Sequence, residues 1–227
     1  MKKMMENNDI KSGKRQFLWY FAALLLALLA IFLIFLSTIS YKPAEYEPII
    51  SDGKGQISPI LTNKILPQIY NNSQLEEPFE IALSEQQINE VIGDMPFKLD
   101  KAAFKNPCVK LENDVFKFMV SSNLAGIAGV VTADFRADGN KLALEKIKIG
   151  RLNCTKLLKN KISRAIEGGK LVKDEKTARF FKEMLSSSAE IPPIKVDKNW
   201  LKVEDVKVSD GNIKIVFKPL GRKKPQK

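Results

Sequence analysis

Polar positions vanish from the chain early. Between Phe17 and Ile39 no residue carries a charge, and at 1.5 Å rise per residue this run makes a helix of roughly 34 Å. That is long enough to cross a bilayer. The run exceeds the apolar core of a cleavable signal peptide and ends in Ser37, Thr38, Ile39, Ser40 and Tyr41, so it predicts a retained signal anchor over residues 17–39. Lys2, Lys3, Lys11, Lys14 and Arg15 precede it, while Lys42 after it is accompanied by Glu45, Glu47 and Asp52. The positive-inside rule then leaves residues 1–16 as a cytoplasmic tail and sends the C-terminal part across the cytoplasmic (inner) membrane in a single pass.

Beyond the anchor, Pro43, Pro48, Gly53 and Gly55 among acidic residues predict an extended linker over 40–56. One domain follows over 57–220, then a basic tail over 221–227. Ile57, Ile60, Leu61, Ile65, Leu66 and Ile69 recur at helical spacing, predicting a first helix that Pro67 breaks or ends. Phe79 to Leu83 alternates like a strand and runs into Ser84 and Gln87, which have capping-box spacing. A helix from Ser84 to Gly93 would turn Ile88, Val91 and Ile92 inward.

Val109 to Ile149 reads as a meander of antiparallel strands. Asn113-Asp114 would turn Val109 and Leu111 onto Phe118 and Phe116. Asp138-Gly139 suits a two-residue turn pairing Ala137 with Asn140, so that Phe135 faces Leu142 and Ala133 faces Leu144. Past Leu144 the alternation slips, and a bulge near Glu145 and Lys146 restores Ile147 and Ile149 to the inner face. Asp210-Gly211 would pair Val208 with Ile213 and Val206 with Ile215, and a second slip predicts a bulge near Glu204 and Asp205. Two helices lie between these strands. One is capped by Thr155, carries Leu158, Ile162 and Ile166 inward and ends at Gly168. The other is capped by Asp174, buries Phe181, Met184 and Leu185 and is stopped by Pro192-Pro193. The fold class is α+β: a strongly curved antiparallel sheet wrapped around amphipathic helices.

Composition narrows the chemistry. The chain has no histidine, which removes Ser-His-Asp and Cys-His catalysis in their usual forms. Its two cysteines, Cys108 and Cys154, cannot build the usual four-ligand zinc site without histidine. They are either a disulfide pair or two separate buried thiols. Asp and Glu fall at turns, caps and outward strand positions, where solvation accounts for them. Gly53-Lys54-Gly55 lacks the rest of a phosphate loop, and Gly126-Ile127-Ala128-Gly129 lies at a strand start instead of between two helices, as a nucleic-acid-binding loop requires. The expectation is a non-enzyme with no catalytic residues, no metal, no cofactor and no nucleic-acid partner. Lys156, Lys159, Lys161 and Arg164 give the first of the two later helices a basic face, but the net charge of +11 gathers partly in the two tails and leaves the folded region between only mildly basic. It favours anionic lipid head groups or acidic envelope polymers as neighbours.

The stretch IALSEQQINEVI from Ile81 to Ile92, followed by hairpins and then KIKIGRL from Lys146 to Leu152, resembles the YpmS-like family of membrane-anchored bacterial envelope proteins. The resemblance covers about residues 78 to 218 and the N-terminal anchor. That family is similar to the tubular lipid-binding (TULIP) superfamily, which implies a curled sheet around a helix, enclosing lipid tails. It implies no catalytic residues.

These readings converge on a membrane-tethered, non-enzymatic lipid-binding or lipid-transfer module at the outer face of the cytoplasmic membrane. The candidate lipid lining is Ile88, Val91 and Ile92 on one helix, Phe116, Phe118, Val131, Phe135, Leu142, Leu144, Ile147 and Ile149 on the sheet, and Leu158, Ile162 and Phe181 on the later helices. A filled dry core is the alternative for the same residues. The alternative function is a scaffold or assembly factor that docks onto another cell-envelope protein through the basic helix or a sheet edge.

Overall fold

The computed structural model describes residues 2–49, 57–75, 77–94, 104–124, 127–169 and 174–221. The predicted linker residues 50–56, Gly126 and the basic tail from Arg222 lie outside them. The elements are α1 (Lys2–Ile39), α2 (Leu66–Ser73), β1 (Phe79–Ser84), α3 (Glu85–Asp94), β2 (Phe104–Glu112), β3 (Val115–Leu124), β4 (Ile127–Asp138), β5 (Lys141–Ile149), β6 (Leu152–Asn153), α4 (Thr155–Glu167), α5 (Glu175–Ser186), β7 (Ala189–Glu190), β8 (Ile194–Val196), β9 (Asn199–Ser209) and β10 (Asn212–Gly221). The class is mixed α+β with antiparallel sheets.

Helix α1 runs unbroken through the apolar stretch, and its large side chains from Leu24 to Phe35 are exposed. Among the described residues no helix is long and apolar enough to cross a membrane. The described side chains of α1 begin at Tyr20, three residues inside the apolar run that starts at Phe17.

The strands form two sheets. A four-stranded sheet has the order β1-β10-β9-β8, and a six-stranded sheet has the order β2-β3-β4-β5-β6 with β7 added to β5. They meet at β9. Strand β8 pairs only with Asn199–Leu201, so the remainder of that β9 edge is open, and the hairpin tips of the larger sheet close on it. Val206 N–H donates to the Gly139 carbonyl at 2.9 Å, and Asp114 N–H donates to the Val208 carbonyl at 3.1 Å.

Both bulges stand where the alternation slips. Phe135 pairs with Leu144 and Asp134 with Lys146, leaving Glu145 as the extra residue. Val216 pairs with Asp205 and Phe217 with Val203, leaving Glu204. Asn113-Asp114 sets Val109 on Phe118 and Leu111 on Phe116, and Val208 pairs with Ile213.

The central hairpin differs in one respect. Its two-residue turn is Gly139-Asn140, with Asp138 paired to Lys141 and Phe135 to Leu144. Gly139 takes the left-handed conformation at φ +58°, which a glycine adopts without strain. Because the register differs from the Asp138-Gly139 reading by two residues, every side chain keeps its expected face.

Local signals around the helices divide in the same way. Ser84 and Gln87 close the reciprocal capping box, each backbone N–H donating to the other's side chain at 3.2 Å. Asp174 caps α5 by accepting from Thr177 N–H at 2.7 Å. Pro67 does not end its helix: a π-helical turn over Leu61–Ile65 leads into α2, and Pro67 sits in the first turn of α2, where a missing N–H costs little. Thr155 is the first residue of α4, not its cap. Its hydroxyl instead accepts from Ile147 N–H at 2.9 Å, pinning the helix to β5.

Candidate functional site

One face of the larger sheet carries Val109, Leu111, Phe116, Phe118, Ala133, Phe135, Leu144 and Ile147, as the pairings require. Two packed clusters divide this face. The first gathers Ile81, Val109, Leu111, Ala137, Leu201, Val203, Val206, Val208 and Phe217, with Ile88, Ile92, Phe116 and Phe118 against it. The second gathers Leu144, Ile147, Ile166, Met184, Leu185 and Ala189, with Val131, Phe135, Leu142, Leu158, Ile162 and Phe181 against it. The Phe116 and Phe135 rings stack between them at 4.8 Å, so the apolar surface is continuous. Of the expected lining residues, Val91, Leu144 and Ile147 are buried; the other eleven, including Ile149, which joins neither cluster, are only half-buried.

Helix α3 closes the β2 edge of this surface. The Asn89 side chain donates to the Val109 carbonyl at 2.9 Å and accepts the Val109 N–H at 2.6 Å. One turn earlier, Glu85 accepts the Leu111 N–H at 2.9 Å and pairs with Lys110 at 3.0 Å. Glu85 and Asn89, four residues apart, present one row of polar groups to the edge of β2 that faces away from β3.

The opposite face is covered by the chain leaving α1. The residues predicted as a free linker are, from Tyr41 to Ile49, a docked strap. Arg151 N–H donates to the Thr38 carbonyl at 2.9 Å, and the Arg151 guanidinium lies 4.0 Å from the Tyr41 ring centre. A Cβ on Gly150, Gly129 or Gly93 would collide with the backbone of Thr38 and Ile39, of Ile39, and of Ile49 respectively. The end of α1 fits against Gly129 and Gly150, and the end of the strap against Gly93, because those three positions lack side chains.

Tyr46 is its anchor, packed with Cys108, Met119 and Val130. Strand β2 bulges at Asn106-Pro107, with Asn106 at φ +54°. The Tyr46 hydroxyl donates to the Asn106 carbonyl at 2.7 Å and accepts the Ser121 N–H at 3.1 Å, satisfying groups the bulge releases. Burial raises the Tyr46 phenol above its ordinary pKa.

Beside the strap, Asp134 is buried, and its Oδ1 has no hydrogen-bond partner. Desolvation raises its pKa, and Lys148, Lys117 and Lys146 pull the other way without cancelling it. Among the described residues no acidic or cysteine cluster fits a metal ion.

Cys108 and Cys154 are free buried thiols, not a disulfide. Cys108 lies on β2 and Cys154 follows β6, at opposite ends of the sheet order, whereas a disulfide needs Cα atoms within about 7 Å. The basic face also differs from its expectation: Lys156, Lys161 and Arg164 are exposed, but Lys159 is half-buried, because helical spacing turns it toward the side of Ile162 and Ile166.

Comparison with protein-family models, with curated proteins and with solved structures finds no match.

Tyr46, Asn89 and Asp134 belong to no hydrophobic periodicity or motif of catalytic type in the sequence. The available signal for Asn89 was its place four residues after Glu85, flanking the apolar stripe Ile88, Val91 and Ile92. Tyr46 carried no signal among its Pro and Glu neighbours.

Proposed function

We propose that this chain is a non-enzymatic, membrane-tethered module that holds an acyl chain against the apolar face of its larger sheet. In this reading α1 crosses the cytoplasmic membrane, and the two sheets act together as the curved wall expected from the resemblance to the YpmS-like family and its TULIP relatives. The observation that carries it is the half-burial of Phe116, Phe118, Phe135, Val131, Leu158 and Ile162 on one continuous surface. Partly exposed side chains lined up on one apolar surface leave it incompletely covered by the chain itself. A guest chain would supply the missing cover.

Support for the tether comes from the uncharged run, from the bare apolar flank of α1, and from the aromatic residues near the two ends of that run, Trp19 and Tyr20 on one side and Tyr41 on the other. The docked strap matters here as well, since it would hold the sheet at the outer leaflet, where acyl chains are available.

The test is native mass spectrometry of a chain starting at Tyr41, purified without detergent, which retains the Tyr46 strap. A lipid-sized mass adduct, displaced by added fatty acid, is the expected result. A bare protein mass together with no uptake of a fluorescent fatty acid contradicts the proposal.

A further inference from the structure

We propose that the outer flank of α4, centred on Leu157 and bordered by Lys156, Lys161 and Arg164, lies against anionic phospholipid head groups, with Arg151 and Leu152 in the preceding turn. The inference rests on α1 crossing the membrane, and it identifies a second lipid contact distinct from the apolar sheet face. Its position follows from the Arg151 N–H, which bonds the Thr38 carbonyl one residue before the end of α1, and from the guanidinium held over Tyr41. The turn before α4 therefore stands at the level where the apolar helix ends, and Tyr41 suits the water interface.

The side chains suit the same surface. Leu152 and Leu157 are 38% and 59% exposed, and helical spacing places Leu157 on the same flank as Lys156, Lys161 and Arg164. No acid occurs between Thr155 and Ile166. The acids at the C-terminal parts of α4 and α5, Glu167 and Glu183, pair with Lys182 and Arg179 instead, which leaves the cations of this flank for an external anion. An exposed leucine ringed by long cationic side chains fits an interface whose surface is anionic and whose interior is apolar. A soluble acidic partner would recruit the charges but give the leucines no role.

The experiment uses the full chain in vesicles, with Cys108→Ala and Cys154→Ala and a single fluorescent label at Leu157→Cys, Leu29→Cys or Ile194→Cys. All three label sites are exposed. Vesicles are phosphatidylcholine with or without about one third phosphatidylglycerol, containing lipids spin-labelled either at the head group or at the bilayer centre.

The 157 label should be quenched by the head-group probe at least about threefold more than the 194 label in anionic vesicles, falling toward the 194 level without phosphatidylglycerol. Quenching at 157 no greater than at 194 overturns the proposal. Equal quenching with and without phosphatidylglycerol overturns the anionic assignment. A label at 29 that escapes the bilayer-centre probe sinks the tether itself; quenching at 29 without quenching at 157 removes this inference alone.

Discussion

The Asn89 carboxamide forms both hydrogen bonds with the backbone of Val109, accepting its N–H at 2.6 Å and donating to its carbonyl at 2.9 Å. A helix side chain thus does for the outermost strand of the larger sheet what a neighbouring strand would do. Replacing Asn89→Ala leaves two buried backbone groups unpaired and is expected to destabilise the protein by about 2–3 kcal/mol. Chemical denaturation of the full chain in detergent checks this; a loss under 0.5 kcal/mol, roughly the effect of a neutral surface change, would contradict the edge role.

Gly150 and Gly139 both have positive φ, at +57° and +58°, but only Gly150 faces the backbone of Thr38 and Ile39. Gly139→Ala should cost only conformational strain, about 1 kcal/mol. Gly150→Ala should cost more and also lift the strap, seen as faster protease cleavage between Tyr41 and Ile49. Equal cleavage rates in the two variants would argue against docking at Gly150.

Tyr46→Phe keeps the ring in its site and removes both hydroxyl bonds. The expected loss is about 1–2 kcal/mol, with faster amide exchange at Ser121, whose N–H loses its acceptor. Unchanged exchange at that amide would show that the hydroxyl does not secure the bulge.

Asp134 gives a pH dependence of definite sign. Its pKa is raised in the folded protein above the ordinary value of 3.8, so as pH climbs past 3.8 the unfolded chain releases this proton first and the fold loses stability, until the folded carboxyl also ionises. Asp134→Asn should therefore be more stable than the parent at neutral pH, by about 1 kcal/mol, with the advantage gone at acid pH. Melting temperatures across pH decide it; a less stable variant at neutral pH would mean that Lys117, Lys146 and Lys148 outweigh the burial.

Parity made much of the fold readable from sequence. Bulges at Glu145 and Glu204 follow from alternation that changes phase, because burial on one face tolerates no other solution. The turn at Gly139-Asn140 was displaced because Asp138, Gly139 and Asn140 offer two overlapping turn dipeptides, and the choice depends on how the tip meets Val206. The division into two sheets was not readable, since it depends on hairpin tips bonding to β9 from distant parts of the chain. The strap was hidden for a related reason: Pro43, Pro48 and the acids around Tyr46 give the composition of a linker, and the glycines that make room for the end of α1 (Gly129 and Gly150) and for Ile49 (Gly93) lie far along the chain. At the candidate site the apolar lining was readable as a face, but its half-burial is a property of packing alone.

Occupation of that face by an acyl chain is the decisive property. A phospholipid carrying a photoreactive diazirine on its tail, incorporated with the full chain in vesicles and irradiated, addresses this most directly. Peptide mapping should locate adducts in β3 and α4, around Phe116, Phe118 and Ile162, in addition to those in α1. Adducts confined to α1, with β3 and the inward side of α4 unmodified, would contradict the account.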